Sequence, residues 1–260
     1  MPKTIFITGA TDGIGKLTAK MLASQGHKLL LHGRNPKKLA AVATEVGGEA
    51  ERYVADLSRL SEVESMAGQI LEQHQHLDVL INNAGVLKTA QSKTQEGLDI
   101  RFVVNTFAPY VLTRHLLSVI PKTGRIINLS SAAQAPVNMD AMTGRTSLDD
   151  MSAYAQSKLA ITIWSQELAK ELGDGPVVIA VNPGSLLASK MVQEGFGVSG
   201  KDLHIGADIL CKAALDASFA GASGKYFDND TGRFSPPNSA ALDPKHVTAV
   251  MQTMVEAIGA

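Results

Sequence analysis

The run Thr4-Ile5-Phe6-Ile7-Thr8-Gly9-Ala10-Thr11-Asp12-Gly13-Ile14-Gly15 decides the fold. A short apolar segment suited to a buried strand leads straight into three glycines. The glycines lead into Ile14 to Gln25, where Leu17, Met21 and Leu22 share one helical face. A second apolar run, Lys28 to Leu31, comes next. Strand, helix, strand is a βαβ unit. At its first turn, glycines permit a tight bend and close backbone approach, and the helix start offers free N–H groups and a positive dipole end, which suit a pyrophosphate. The spacing is G-x-x-x-G-x-G, not the more familiar G-x-G-x-x-G. Gly9, Thr11, Asp12, Gly13, Ile14 and Gly15 are the residues placed to line such a site.

The pattern repeats outward. Asn35 offers an N-cap with Pro36 at the first helical position, and Gly47-Gly48 stops that helix. Arg52 to Ala55, Asp78 to Ile81, Arg125 to Leu129, Val177 to Val181 and Lys225 to Phe227 read as further strands. Helical periodicity covers Ser61 to Gln73, Thr94 to Ile120, Ser152 to Leu172, Asp202 to Phe219 and Pro244 to Ile258, and Pro109 is placed to kink or divide the second of these. Strands regularly separated by helices imply a parallel sheet covered on both faces, with the carboxyl ends of the strands gathered at one edge where ligands bind. No linker, repeat or second patterned module interrupts residues 1–260, so the expectation is a single α/β domain.

Composition narrows the function. Of 260 residues, 45% are hydrophobic, enough for a sizeable core. A net charge of -1 with no basic run leaves no electrostatic footprint for nucleic acid. No apolar run approaches the roughly 20 residues of a membrane span, and the first is too short for a signal segment, so a cytoplasmic location is expected. Cys211, the single cysteine, sits among Ile209, Leu210, Ala213 and Ala214 and reads as a core hydrophobe; no zinc-site spacing is present and no metal is expected.

The chemically capable residues fall at the strand ends. After the second strand comes His32-Gly33-Arg34-Asn35, where a carboxylate would select the ribose hydroxyls of NAD. A guanidinium there suits the 2'-phosphate of NADP, so NADP(H) is expected, with NAD(H) possible. Asp56-Leu57, after the third strand, could meet the adenine amino group or cap a helix. Asn83-Ala84-Gly85, after the fourth, could tie the edge to a cofactor or form a turn. Asn105 is a polar group on an apolar helix face and needs a partner, either a water or a main-chain carbonyl. Ser130-Ser131 ends the fifth strand. In Ser152-Ala153-Tyr154-Ala155-Gln156-Ser157-Lys158 a phenol and an ammonium stand four residues apart on one helical face. A phenol titrates near pH ~10, and a neighbouring cation favours its anion, so Lys158 is expected to lower the Tyr154 pKa.

Taken in order, Thr8-Gly9-x-x-x-Gly13-Ile14-Gly15, Asn82-Asn83-Ala84-Gly85, Asn105, Ser130-Ser131, Tyr154-x-x-x-Lys158 and Asn182-Pro183-Gly184 resemble the short-chain dehydrogenase/reductase family over nearly the whole chain. The resemblance implies a single Rossmann-like domain with a doubly wound, seven-stranded parallel sheet and helices on both faces. It also implies NAD(P) as cofactor, a homodimer or homotetramer, and hydride exchange between an alcohol and its ketone or aldehyde. By the same resemblance Tyr154 is the acid/base, Lys158 supports the phenol and holds the nicotinamide ribose, Ser131 bonds the reacting oxygen, Asn105 keeps a water in the relay, and Pro183 and Gly184 contact cofactor. Two departures stand out. The stretch between Ser131 and Tyr154 is longer than in many members and resembles retinol-dehydrogenase-like enzymes; residues 132–151 are an insertion that shapes either the pocket or an interface. The segment 185–201, with Leu186, Leu187, Met191 and Phe196, reads as a substrate lid, and it lacks the Thr that often follows Pro-Gly. A mainly apolar substrate is expected, and the alternative is a catalytically silent dinucleotide-binding sensor or scaffold.

Overall fold

A computed structural model describes residues 1–47 and 49–259; of the Gly47-Gly48 helix stop, Gly48 lies outside the described residues. The strands β1 (Thr4–Ile7), β2 (Lys28–Gly33), β3 (Glu51–Val54), β4 (Val79–Asn82), β5 (Arg125–Leu129), β6 (Val177–Asn182), β7 (Tyr226–Asp228) and β8 (Arg233–Ser235) form one sheet in the order β3-β2-β1-β4-β5-β6-β7-β8. Seven of them run parallel, as the sequence predicts. The eighth runs antiparallel to β7 at the edge and is an addition to the seven-stranded expectation. Its three residues hold one apolar side chain, Phe234, too few for a period-2 signal; Phe234 packs edge-on against Phe227 at a centroid distance of 5.1 Å.

Each strand interior alternates its side chains between two cores. Phe6, Leu30, Leu80, Ile126 and Val178 face one cluster, shared with α3 (Leu60–Gln73), α5 (Ala108–Leu116), α7 (Asp150–Leu172) and α10 (Pro244–Ile258). Ile5, Ile7, Leu29, Leu31, Ile127 and Ile179 face the other, covered by α1 (Gly13–Ser24), α2 (Pro36–Glu45) and α9 (His204–Leu215). Burial on both faces explains why the strands read as continuous apolar runs rather than as alternation. The reversal of strand order lies between β1 and β4, so a crevice opens at their carboxyl ends.

The helical stretch expected over Thr94 to Ile120 is shorter and not uniform. It begins at α4 (Ile100–Phe102), capped by Asp99, passes through a π-helical turn at Val103–Phe107, continues as α5 and ends in a 3₁₀ turn at Leu117–Val119. The Ala108 N–H bonds the Val103 carbonyl five residues back, and Pro109 has no N–H to give the carbonyl of Asn105. The segment read as one helix from Asp202 to Phe219 is α9 followed by a 3₁₀ turn, Ala217–Phe219. Within the 132–151 insertion lies α6 (Met139–Met142), capped by Asn138, and within 185–201 lies α8 (Lys190–Phe196), capped by Ser189.

A buried cation fixes the start of α7. The Arg101 guanidinium, 1% exposed, donates from Nε to Asp99 Oδ1 at 2.8 Å and from Nη2 to Asp99 Oδ2 at 2.6 Å, and its Nη1 reaches Asp150 in the first turn of α7. Removing the guanidinium strands the nearly buried Asp99 carboxylate without its partner. Arg101→Leu is therefore expected to lower the unfolding free energy by about 3 kcal/mol in urea titration. A loss under about 1 kcal/mol would mark the pair as no stronger than a surface one.

Candidate active site

A cleft of about 360 Å³ lies at the carboxyl ends of the strands. Its floor is the glycine loop. At Gly15 an added Cβ would stand 2.4 Å from the Gly9 carbonyl oxygen and 2.3 Å from Asn83 Nδ2; at Gly9, where φ is +66°, it would stand 2.9 Å from the Ala84 backbone. Only glycine lets the loop and the β4 end close on each other this tightly. The β4 end is stitched to the loop: Asn83 Nδ2 donates to the Thr8 and Gly9 carbonyls at 2.9 and 3.1 Å, and the Asn83 and Ala84 amides donate to Thr8 Oγ1 at 3.0 and 3.1 Å. Asp12 caps α1, accepting from the Gly13 N–H at 2.8 Å.

His32, which the sequence reading passes over, is the central tie. Its Nδ1 accepts from the Gly9 N–H at 3.2 Å and its Nε2 lies 3.0 Å from the Ala55 carbonyl. A backbone amide only donates and a carbonyl only accepts, so the proton sits on Nε2. Burial, aided by the nearby Arg34 charge, pushes the imidazole down to about 4, and the ring stays neutral at physiological pH. A His two residues before the expected specificity position, Arg34, was the available signal.

Of the residues singled out in the sequence, Gly9, Thr11, Asp12, Gly13, Ile14, Gly15, Arg34, Asp56, Leu57, Asn83, Ala84, Gly85, Tyr154, Lys158 and Pro183 line this one cleft. Arg34 stands exposed at its rim. Asp56 also closes a local turn, accepting from the Ser58 N–H and hydroxyl at 3.0 and 2.8 Å. Four singled-out residues are not in the lining. Asn35 caps α2, accepting from the Lys38 N–H at 3.0 Å. Gly184 supports the loop after β6 at φ +122°. Ser131 and Asn105 meet the cleft through lining residues, Ser131 bonding the Tyr154 phenol and Asn105 bonding Val86. The lining also takes in Val86, Leu87, Lys88, Ser189, Lys190, Met191 and Glu194, whose positions depend on how the loop after β4 and the segment around α8 fold over the sheet edge.

The far end of the cleft holds the titrating groups. Lys158 is 3% exposed, and its Nζ donates to the Leu129 carbonyl at 2.7 Å and lies 5.6 Å from the centre of the Tyr154 ring. Desolvation pushes this ammonium down to about 7. The Tyr154 phenol is pushed above its ordinary value by burial, with a hydrogen bond from Ser131 acting the other way. This corrects the expectation of a lowered phenol: burial holds it above its ordinary value, so it keeps its proton at neutral pH. Ser130 and Ser131 part ways. Ser130 Oγ bonds the Lys158 carbonyl at 3.1 Å and Thr162 Oγ1 at 2.7 Å within the core, while Ser131 faces the phenol. Asn105 spends its side chain on Val86, accepting from its N–H at 2.8 Å and donating to its carbonyl at 3.0 Å, and on Ser157 Oγ at 2.9 Å. What it has left for a water is its main-chain carbonyl.

Over the cleft, the 185–201 segment is clasped at its base, where the Ala188 N–H donates to the Lys201 carbonyl at 2.7 Å and Lys201 pairs with Leu187 in a parallel bridge. The side chain of Phe196 lies outside the described residues. No residue of the 132–151 insertion lines the cleft. The Val137 N–H donates to His246 Nε2 at 3.2 Å, the Asn138 N–H donates to Gln156 Oε1 at 2.8 Å, and α6 packs on α10. Cys211 is buried and its thiol is pushed up to about 11 by burial and Asp208, so it is no nucleophile. Among the described residues no His, Cys, Asp and Glu cluster could hold a metal, and no helix is long and apolar enough to cross a membrane.

A family model described as short chain dehydrogenase matches residues 3–196. Human retinol dehydrogenase 13 is 34% identical over 251 residues, covering 87% of this chain and 76% of its own. Human retinol dehydrogenase 11 is 35% identical over 204 residues, covering 75% of this chain and 64% of its own. Among solved structures, an uncharacterized protein from Mycobacterium paratuberculosis superposes with a TM-score of 0.81 at 26% identity, over 99% of this chain and 93% of the other. An Escherichia coli CFT073 protein of the short chain dehydrogenase type, complexed with NADPH, superposes with a TM-score of 0.71 at 26% identity, over 87% of this chain and 96% of the other.

Proposed function

We propose that this chain, which belongs to the short chain dehydrogenase family and is an oxidoreductase acting on CH–OH groups, interconverts an apolar alcohol and its ketone or aldehyde with NADP(H). The observation that carries the reading is one cleft with an exposed guanidinium at the β2 end and Tyr154, Ser131 and Lys158 at the other. The cleft fits a dinucleotide: its floor bars a side chain at Gly9 and Gly15, where an added Cβ would overlap neighbouring backbone. When bound, the cofactor supplies the hydride. The E. coli relative bound to NADPH and the absence of a carboxylate at position 34 both support NADP(H) over NAD(H).

The residues of the chain then divide the labour. Tyr154, protonated at neutral pH, gives its proton to the carbonyl oxygen as charge develops there, and the Ser131 hydroxyl meets the same oxygen. The phenolate left behind stands beside the Lys158 ammonium, in a site dry enough for that charge to count. The substrate class is read from the 185–201 segment: Met191 lines the cleft, and Leu186 and Val198 on the segment and Ile205 beside it are each more than two-fifths exposed. The retinol dehydrogenases, as their name states, act on an apolar alcohol, and their similarity supports the same class here.

Two variants test the reading. Tyr154→Phe is expected to lower kcat by about 100-fold or more while NADPH Kd stays within about threefold; retained kcat would refute the proton donor. Arg34→Ala is expected to raise the Kd for NADPH about tenfold more than that for NADH, measured by fluorescence titration. Equal losses would refute the phosphate contact.

A further inference from the structure

The turn between β7 and β8 reaches back over the sheet edge and grips the loop that leaves β6. Asn182 Nδ2 donates to Asp228 Oδ1 at 2.8 Å and to Asp230 Oδ2 at 2.9 Å. The Ser185 N–H donates to Asp230 Oδ1 at 2.9 Å, and the Ser185 hydroxyl donates to Asp230 Oδ2. Between the two acids, the Asn229 N–H donates to the Asn182 carbonyl at 3.2 Å, and its Nδ2 donates to the Pro183 carbonyl at 2.9 Å and the Ile205 carbonyl at 3.0 Å. The loop thus has every residue from Asn182 to Ser185 tied down, since the Gly184 N–H is taken by Asn182 Oδ1 at 3.2 Å.

That loop is placed where rigidity matters. Val181 pairs in register with Leu129, whose carbonyl holds Lys158, so the chain leaves β6 beside the strand end that carries the titrating groups. Pro183 lines the cleft there, whereas Ser185 does not, its hydroxyl being turned to Asp230. Hydride transfer tolerates little slack: a misplacement of about 1 Å can cost roughly 100-fold.

We propose that Asp230 is a positioning residue for hydride transfer, pinning the Asn182–Ser185 loop so that Pro183 keeps a fixed place in the cleft wall where it would bound the cofactor. The assignment rests on the oxidoreductase reading. Ser185 serves the clamp and makes no contact with the cofactor.

The test uses the full chain with NADPH deuterated on one face of C4. Asp230→Asn keeps the shape but sets an NH2 against Asn182 and Ser185, both donors. It is expected to quicken hydrogen exchange at the Ser185 amide, to lower kcat about tenfold or more, and to scramble which C4 hydrogen reaches the product, with NADPH Kd within about threefold. Ser185→Ala loses only the hydroxyl bond to Asp230 and keeps the amide bond, so it is expected to quicken exchange and lower kcat by less than Asp230→Asn does. Unchanged exchange at Ser185 in Asp230→Asn, or quickened exchange with wild-type kcat and facial purity, overturns the positioning role. A wild-type protein that transfers no deuterium to any apolar carbonyl overturns the oxidoreductase reading as well, which sets that failure apart from the others.

Discussion

Lys158 is a buried ammonium with one hydrogen-bond acceptor, the Leu129 carbonyl at the end of β5. An isolated charge in such surroundings is costly, and the protein meets that cost by letting the lysine approach neutrality near physiological pH. The arrangement constrains much around it. The β5 end must present a free carbonyl, so the chain turns out of the sheet at Ser130. The first turn of α7 must be firmly seated, which is the work of Arg101 between Asp99 and Asp150.

A second constraint is the closeness of the glycine loop to its neighbours. His32 joins Gly9 to the end of β3 through a fixed tautomer, and Asn83 joins the same loop to the end of β4. Four adjacent strand ends, those of β3, β2, β1 and β4, are thereby locked without a side chain entering the floor of the cleft. On the other side of the sheet edge the β7–β8 turn does the same for the loop after β6. The cleft is preorganised at both ends by backbone-directed polar side chains, which limits the ordering cost of binding.

The parallel sheet was legible because its strands are buried on both faces and stand between helices of clear period; α2 and its Asn35-Pro36 start, and α10, fall where the residues put them. Clustering of the strand-end motifs was legible for the same reason, since topology alone carries Gly13, Asn83 and Tyr154 to one edge. Other features were not. β8 is too short to show a pattern, and the π-helical turn at Val103–Phe107 carries no periodic signal beyond Pro109. The roles of Asp230 and His32 depend on contacts between residues distant in sequence. The direction of the Tyr154 shift was misjudged because spacing reports the neighbouring charge and not the depth of burial, and here burial wins.

The central claim is that the Lys158 ammonium, and not the phenol, is the group poised near neutrality. The most direct test is the pH dependence of kcat/KM for NADPH, which reports the free protein, in the wild type and in Lys158→Met. A lysine lowered to about 7 that must carry its proton gives a wild-type profile flat at acid pH and falling as pH rises through that value, and this limb should vanish in Lys158→Met. A wild-type profile with no limb near 7, or a limb that survives unchanged in Lys158→Met, would contradict the account.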